Sequence, residues 1–380
     1  MLNIEVINNI KRLESLREPW NEALSRSEVD DVHLTWEWCY TWYKNFAKDS
    51  LFILAAWDKD RILAIAPLMT RRYLMGSRLM LENIGSHFFD IILTEREDEC
   101  VSAIFESALK EKWDFLNFTD LPAESRSAAL IESLADRGVF QISKGKQEGI
   151  SPYVPSVGSA DAYFRGLSSR FMKNIRYVEK KLKDKGKISV LEVRDPESVK
   201  VYLEKFFRIE ADGWKGRLRT SILDSKEKKN FYTELAYLAS QRGWLSLYFL
   251  KLDDREIAAD YCLNYRNVMN LQKTGYDSEY ARYSPGCVLR KRVLEEAFNG
   301  DFTESRFIGV YYGWDRYPND TWKLKWKPLT RRFTQFYIYK KSGFSSLMKA
   351  VHALRGFFKK SRFLVKIKRA VFDAEYRSHK

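Results

Sequence analysis

The sequence is poor in the residues that build metal centres and covalent active sites. Its 380 residues include only four cysteines and four histidines. Cys39, Cys100, Cys262 and Cys287 are too far apart to form a CxxC pair, and His33, His87, His352 and His379 are equally scattered. No metal site is expected from such spacing, and no Cys/His or Ser/His/Asp signature is present. A chain this long needs no disulfide staple, so the reducing cytoplasm is the expected location. No apolar run approaches the ~18 residues of a membrane span. Glu5, Lys11, Arg12 and Glu14 interrupt the stretch where a signal-peptide core would lie. Aromatics, in contrast, reach 15% beside 45% hydrophobic and 31% charged residues. That composition argues against disorder and for two or three domains, each with its own core.

The net charge of +14 is concentrated at one end. From Lys340 to Lys380, twelve lysines and arginines are opposed only by Asp373 and Glu375, so +10 of the +14 lies there. The remaining body is too weakly basic for a protein that coats nucleic acid, and no DNA partner is expected. Phe344, Leu347, Met348, Val351, Leu354 and Phe358 recur at steps of three and four, and Phe363, Leu364, Ile367 and Val371 resume the pattern. Residues 341–380 therefore read as a basic amphipathic helical tail. Such a stripe enters the acyl boundary while its cations meet anionic headgroups, which makes the inner face of the cell membrane an expected partner. Docking on the protein's own core and contact with RNA are the alternatives.

The body contains itself twice. Asp60-Arg61-Ile62-Leu63-Ala64-Ile65-Ala66 aligns with Asp254-Arg255-Glu256-Ile257-Ala258-Ala259-Asp260, and Leu51–Trp57 with Leu245–Lys251. Each copy reads as a β-hairpin: an apolar run, a polar turn containing Asp, and a second apolar run. A helix (Ile10–Ser25) and a Trp-rich helix (Trp36–Phe46) precede the first hairpin. Helices over Val199–Gly213 and Lys226–Arg242 precede the second. Gly149–Gly158, with Pro152 and Pro155, reads as the connection between modules. Tyr163–Lys185 reads as a strongly basic helix. The expected fold is α/β (α+β): two tandem domains, 1–155 and 156–340, with mixed sheets flanked by helices, followed by the tail 341–380.

The chemically informative stretch is Leu271–Asn299. A strand ends at Gly275, a loop carries Asp277, and a helix starts near Cys287. A helix start presents unpaired N–H groups and the positive dipole end, which suits a pyrophosphate. Gly286 permits close backbone approach there, and Pro285 pre-sets the turn.

Glu210-Ala211-Asp212-Gly213-Trp214-Lys215-Gly216-Arg217, Gly275-Tyr276-Asp277 and Ala281-Arg282-Tyr283-Ser284-Pro285-Gly286 resemble motifs of the CelD-like acyltransferases. That family lies in the GNAT superfamily and is related to the FemAB aminoacyltransferases. Trp36, Trp38 and Trp42 with Ala64-Ile65-Ala66-Pro67-Leu68 resemble its first half. The resemblance spans roughly residues 20–340 and implies tandem GNAT folds with acyl-CoA chemistry in the second. Arg282-Tyr283-Ser284-Pro285-Gly286 occupies the place of the usual Gln/Arg-x-x-Gly-x-Gly/Ala signature, and Cys287 follows it. These residues are the implied site for coenzyme A, a co-substrate rather than a permanently bound cofactor. The closing segment also departs from the family. Phe307-Ile308-Gly309-Val310-Tyr311-Tyr312-Gly313-Trp314-Asp315 is followed only later by Trp322-Lys323.

GNAT-type transfer needs a base for the acceptor, donors for an oxyanion and a proton for the thiolate, but no covalent nucleophile. Asp277, Glu210 and Asp260 are the candidate bases. Burial among apolar strand neighbours would raise the Asp260 carboxyl, and a hairpin carboxylate with a structural partner is its alternative reading. Asp277 is equally readable as a turn residue bonding its own backbone. Tyr311 and Tyr312 are the candidate acids. Lys215 and Lys273 would neutralise an anionic acceptor or the carrier phosphate, and Trp214 would wall the acceptor site.

The function implied is acyl transfer from a CoA thioester to an amine or hydroxyl. With the tail, a sugar or lipid-linked precursor of cell-surface polysaccharide is the acceptor class this suggests. A FemAB-like transferase using aminoacyl-tRNA, with tRNA phosphates on the basic helix, is the first alternative. A non-catalytic tandem-GNAT membrane scaffold is the second.

Overall fold

The polar turns that separate paired apolar runs become hairpins, and they do so twice in the same way. The computed structural model describes residues 2–73, 78–84, 88–145, 148–312 and 318–341, together with Ser345 and Lys349. The first module contains β1 (Asn3–Ile7), α1 (Ile10–Glu14), α2 (Arg17–Arg26), α3 (Trp36–Phe46), β2 (Leu51–Asp58), β3 (Arg61–Tyr73) and β4 (Arg78–Asn83). It continues with β5 (Ile92–Leu93), α4 (Glu97–Lys110), β6 (Phe115–Pro122), α5 (Arg126–Asp136), β7 (Gln141–Lys144) and β8 (Gly149–Pro155). Then follow α6 (Ala160–Gly166), α7 (Ser169–Lys183), β9 (Ile188–Val193), α8 (Pro196–Asp212), α9 (Trp214–Arg217) and α10 (Lys226–Gln241). The chain closes with β10 (Leu245–Leu252), β11 (Arg255–Tyr265), β12 (Val268–Tyr276), α11 (Pro285–Asn299), β13 (Glu304–Phe307) and β14 (Leu329–Tyr339).

The repeat holds in geometry as well as in sequence. Leu51, Asp58 and Arg61 bound the first hairpin where Leu245, Leu252 and Arg255 bound the second. The register slips at Ala56/Trp57 in one and at Leu250/Lys251, the equivalent place, in the other. Each turn contains a residue in the left-handed region, Lys59 and Asp253, both at φ 52°. A bulge and a left-handed turn residue increase local twist, so both hairpins enter their sheets with the same curl.

Among the described residues fourteen strands form one mixed sheet in the order β1-β2-β3-β4-β6-β14-β8-β13-β12-β11-β10-β9, with β5 on β3 and β7 on β14. Gly149–Gly158 is therefore not a free connector. Its first seven residues are β8, which pairs with β14 along one part and β13 along the other. Pro152 and Pro155 are accommodated because β8 changes partner near Tyr153, so neither proline sits in a ladder paired on both sides over its length. A boundary at residue 155 separates the two hairpins, yet β14, from the far end of 156–340, pairs with β6 and β7 of the first module. The helix expected over Ile10–Ser25 is broken between α1 and α2. β9 and β1, the two sheet edges, were not anticipated as strands.

The modules meet through α3 and α10. Trp38 packs edge-on against Phe231 with ring centroids 5.2 Å apart. Glu37, fully buried, accepts from Arg17 at 3.1 Å, Asn21 at 2.9 Å and Arg242 at 3.0 Å. Thr35 caps α3 by accepting from the Trp38 N–H. One apolar cluster runs through this seam from Trp20 and Tyr43 to Phe206 and Leu235. Of the expected tail, Ser345 donates to the Asp114 carbonyl at 2.8 Å and Lys349 to Gln141 at 3.2 Å. The rest of 341–380 lies outside the described residues. Among the described residues no helix is long and apolar enough to cross a membrane.

Candidate active site

The site arises where the second module's sheet opens. β12 and β13 run parallel and pair from Val268/Glu304 to Leu271/Phe307, after which β12 continues without β13 to Tyr276. On its other side the β11 register passes from Tyr261↔Lys273 to Cys262↔Leu271, which leaves Gln272 as a bulge. The second half of β12 thus offers backbone groups to a cleft instead of to a strand. Gly275 presses this half against α8: a Cβ there would lie 2.5 Å from Glu210 Cα and 2.8 Å from the Ile209 carbonyl.

The start of α11 forms the opposite wall. Ser284 takes a left-handed conformation (φ 46°, ψ 50°), its hydroxyl makes no capping bond, and Pro285 opens the first turn. No side chain closes off this helix start, and among its first N–H groups that of Cys287 donates to the Ser284 carbonyl at 2.9 Å. A Cβ on Gly286 would meet nothing nearer than Tyr276 Cδ1 at 4.0 Å. Packing does not require the glycine; its absence of side chain keeps the helix start accessible. The cavity of about 270 Å³ between these walls is lined by Glu210, Lys215, Thr274, Gly286, Cys287, Arg290 and Trp322, among others.

Its floor is charged. Arg290 of α11 donates to Asp260 of β11 at 2.7 Å, both side chains being buried. Burial pushes the Asp260 carboxyl up, and Arg290 offsets this only in part. Lys215 lies 3.0 Å from Glu210 and donates to the Thr274 carbonyl at 2.7 Å. Glu210 also accepts from the Ile222 N–H at 2.9 Å. Burial raises the Cys287 thiol, against the pull of Lys325 and Arg290.

Glu210, Lys215, Ser284, Gly286 and Cys287 are thus brought to one cleft, with Asp260 beneath it. Asp277 is not among its lining residues. It caps the following turn by accepting from the Glu279 N–H at 3.0 Å and pairs with Arg255 at 2.6 Å. Its turn reading is the one the geometry fits. Lys273 points to α10, 5.4 Å from the Tyr232 ring centroid. Arg282 is exposed beside the Tyr283 ring. Tyr311 is buried and its hydroxyl is contacted by the Lys323 ammonium, which also donates to the Ile308 carbonyl at 2.8 Å. Tyr312 crosses to the first module, where it donates to Asp120 at 3.0 Å. Trp214's side chain, and residues 313–317 with Trp314 and Asp315, lie outside what is described.

Sequence reasoning missed Arg290, Trp322 and Lys323 as parts of a site. Arg290 sits on a helix, where a basic residue ordinarily reads as solvated. It also missed a second cavity, of about 570 Å³, in the seam between modules. There Asp31 bonds His33 at 2.7 Å and contacts Arg306, while His33 reaches Gln272 at 3.1 Å. Burial alone would raise the Asp31 carboxyl, but Arg306 and His33 together hold it below its ordinary range.

Among the described residues, the corresponding helix start of the first module is acidic. α4, the counterpart of α11, also begins from a left-handed residue, Arg96 (φ 50°), but its first turn carries Glu97, Asp98 and Glu99. Three carboxylates at the positive end of a helix repel a phosphate. The first turn of α11 carries none.

Residues 169–323 match the family model described as an acetyltransferase (GNAT) domain. This span, less than half of the chain, contains the whole cleft. No curated protein matches the sequence significantly. Among solved structures, FemX is similar with a TM-score of 0.60 at 12% identity, over 87% of this chain and 96% of that one. L-PGS from Bacillus licheniformis has a TM-score of 0.52 at 14% identity, over 88% and 93%. A conserved protein of unknown function from Bacteroides thetaiotaomicron reaches 0.54 at 10%, over 90% and 100%. At these identities the likeness concerns the fold alone, a mixed α/β architecture with helix-flanked mixed sheets.

Proposed function

We propose that the second module transfers an acyl group from a CoA thioester to an amine or hydroxyl acceptor, as a member of the CelD-like branch of the GNAT superfamily. The observation that carries this reading is the uncapped start of α11, opening onto a cleft with Glu210, Lys215 and Arg290. The pyrophosphate of the donor sits at the start of α11, where the Gly286 N–H and the positive end of the helix receive it. The thioester lies along β12 beyond Leu271, where backbone N–H groups freed by the splay receive the carbonyl oxyanion.

Glu210 is the carboxylate that lines the cleft, and it takes the proton from the acceptor as the new bond forms. The carbon–sulfur bond then breaks and the thiolate takes a proton from water, because Tyr311, whose hydroxyl is held by Lys323, does not line the cleft. Tyr312 is committed to Asp120, and it too does not line the cleft. A sugar or lipid-linked precursor of a surface polymer is the acceptor class that a basic tail at an anionic membrane would serve.

Aminoacyl-tRNA as donor is a second reading, favoured by the row of cations on α7. Consumption of acyl-CoA in the absence of tRNA separates the two. The direct test is calorimetric titration with CoA, acetyl-CoA and longer acyl-CoAs. Binding is expected for the wild type and not for Gly286→Glu, which puts a carboxylate at the helix start. Absence of binding to every CoA species removes the proposed donor.

A further inference from the structure

Helix α7 is only half used by packing. Met172, Ile175, Val178 and Leu182 bury one face. Along the outer face Arg170, Lys173, Tyr177 and Lys181 follow at steps of three and four, so they form one stripe. At its centre the Tyr177 side chain is 60% exposed, with the Lys181 ammonium 5.9 Å from its ring centroid. Farther along the helix Lys181 pairs with Asp184 and Lys183 with Glu179. Among the described residues no carboxylate pairs with Arg170 or Lys173. Like charges three apart on a helix repel each other by a few tenths of a kcal/mol. Two unpaired cations, Arg170 and Lys173, beside a largely exposed aromatic ring are therefore not what a merely solvated face needs.

The stripe is continuous with the donor cleft. The 3-10 helix Pro318–Trp326 carries Trp322, which lines the cleft. Lys325, one turn later, lines a shallow cavity with Arg170, Lys173, Asn174 and Tyr177. Trp326 anchors that turn against Phe171 of α7, ring centroids 5.1 Å apart. Lys325 is also close enough to Cys287, in the first turn of α11, to pull its thiol down. Lys185 lies over the Tyr283 ring at 5.7 Å, just before that turn.

We propose that Arg170, Lys173, Tyr177 and Lys325 form the subsite for the nucleotide end of the donor: the cations take the 3′-phosphate of coenzyme A, and the Tyr177 ring stacks on its adenine. The inference rests on the CoA reading and names what that reading leaves open. A donor whose pyrophosphate meets the start of α11 has a third phosphate and a flat base still to place. A doubly charged phosphate seeks guanidinium and ammonium donors, and a base seeks an exposed ring. Both occur together beyond Lys325.

The test is calorimetry on the full chain with CoA, dephospho-CoA, adenosine 3′,5′-bisphosphate and 4′-phosphopantetheine. CoA is expected to bind about tenfold more tightly than dephospho-CoA, and the bisphosphate to bind alone. Lys173→Ala and Arg170→Ala are expected to remove the preference for CoA, leaving dephospho-CoA binding unchanged. Tyr177→Ala weakens both nucleotides but not 4′-phosphopantetheine. These positions are exposed, and unchanged melting of each variant verifies folding. Equal binding of CoA and dephospho-CoA, or a preference that survives Lys173→Ala, overturns this subsite and leaves the donor assignment standing. Failure of every CoA species to bind overturns both. A single-stranded RNA whose binding depends on Lys173, with no preference for the 3′-phosphate of CoA, gives the stripe to tRNA and overturns the inference.

Discussion

Replacing Asp260 with Asn tests whether the charged floor of the cleft is a strut or a catalytic group. Asp260 and Arg290 are buried and bonded at 2.7 Å, with the guanidinium 5.8 Å from both the Phe307 and Trp322 ring centroids. Arg290 cannot shed its charge, so Asp260→Asn leaves it uncompensated in aromatic surroundings. Removing one partner of a buried pair costs ~3–5 kcal/mol. At ~2–4 °C per kcal/mol for a domain of this size, melting should fall by on the order of 10 °C. Arg290→Met should cost less. The remaining carboxyl, already pushed up by burial, loses its main opposing charge and escapes by taking a proton. That variant should consequently melt lower at pH 8 than at pH 6, because the proton is lost as pH rises. Asp260→Leu with Arg290→Met strands no charge and should recover most of the loss. Thermal unfolding of the singles and the double, read as a double-mutant cycle, measures the coupling. If Asp260→Asn melts like the wild type but abolishes transfer, Asp260 is a base and the strut argument is refuted.

Three other outcomes follow from the packing. Burial pushes the Asp90 carboxyl up from 3.8 to about 7, against the Ser127 hydroxyl and the Ile91 N–H. A raised acid favours the folded state below its unfolded pKa, and that contribution disappears as pH rises through 7, roughly 4 kcal/mol in all. Asp90→Asn should therefore flatten stability between about pH 4 and pH 7 in denaturant titrations, and an unaltered slope would contradict the assignment. Gly275→Ala should lower melting by displacing α8, whereas Gly286→Ala, with 4.0 Å of clearance, should melt like the wild type. Calorimetric scans of the pair decide whether the cleft walls stand as described. Tyr312→Phe removes the bond that partly restrains Asp120, whose carboxyl burial raises to about 6. NMR titration of that carboxyl should move further upward.

What was legible in the sequence was local. Apolar runs around an Asp-containing turn define a hairpin without reference to anything distant, and both hairpins formed where the repeat placed them. The same is true of Gly286, since a Pro-Gly pair between a strand and an apolar-periodic helix marks a junction by itself. Pairings across the chain were not legible. β14 reaches back to β6 over more than half the sequence, and nothing in Phe333–Tyr339 names its partner. β8 read as a connector because two prolines outweighed the alternation of Ile150 and Val154. Arg290 was invisible for a related reason: its meaning depends on a carboxylate thirty residues earlier, on another element.

The duplication itself helps to locate function, because the two copies were given one hairpin and differ where chemistry is expected. Ala66, fully buried in the first module, stands where the second has Asp260. An alanine there needs no partner, whereas a carboxylate at zero exposure needs a cation, and α11 supplies Arg290 from within its second turn. The helix starts diverge in the same sense, three carboxylates in α4 against none in α11. Packing alone favours the alanine, since a buried ion pair is at best neutral beside apolar residues of the same volume. The cost is carried only by the module whose sheet splays and whose helix start is open. A substitution that imports the first module's solution, Asp260→Ala with Arg290→Leu, should then fold well and lose transfer. If it retains full turnover, the charged floor has no part in the reaction, and the cleft walls alone position the donor.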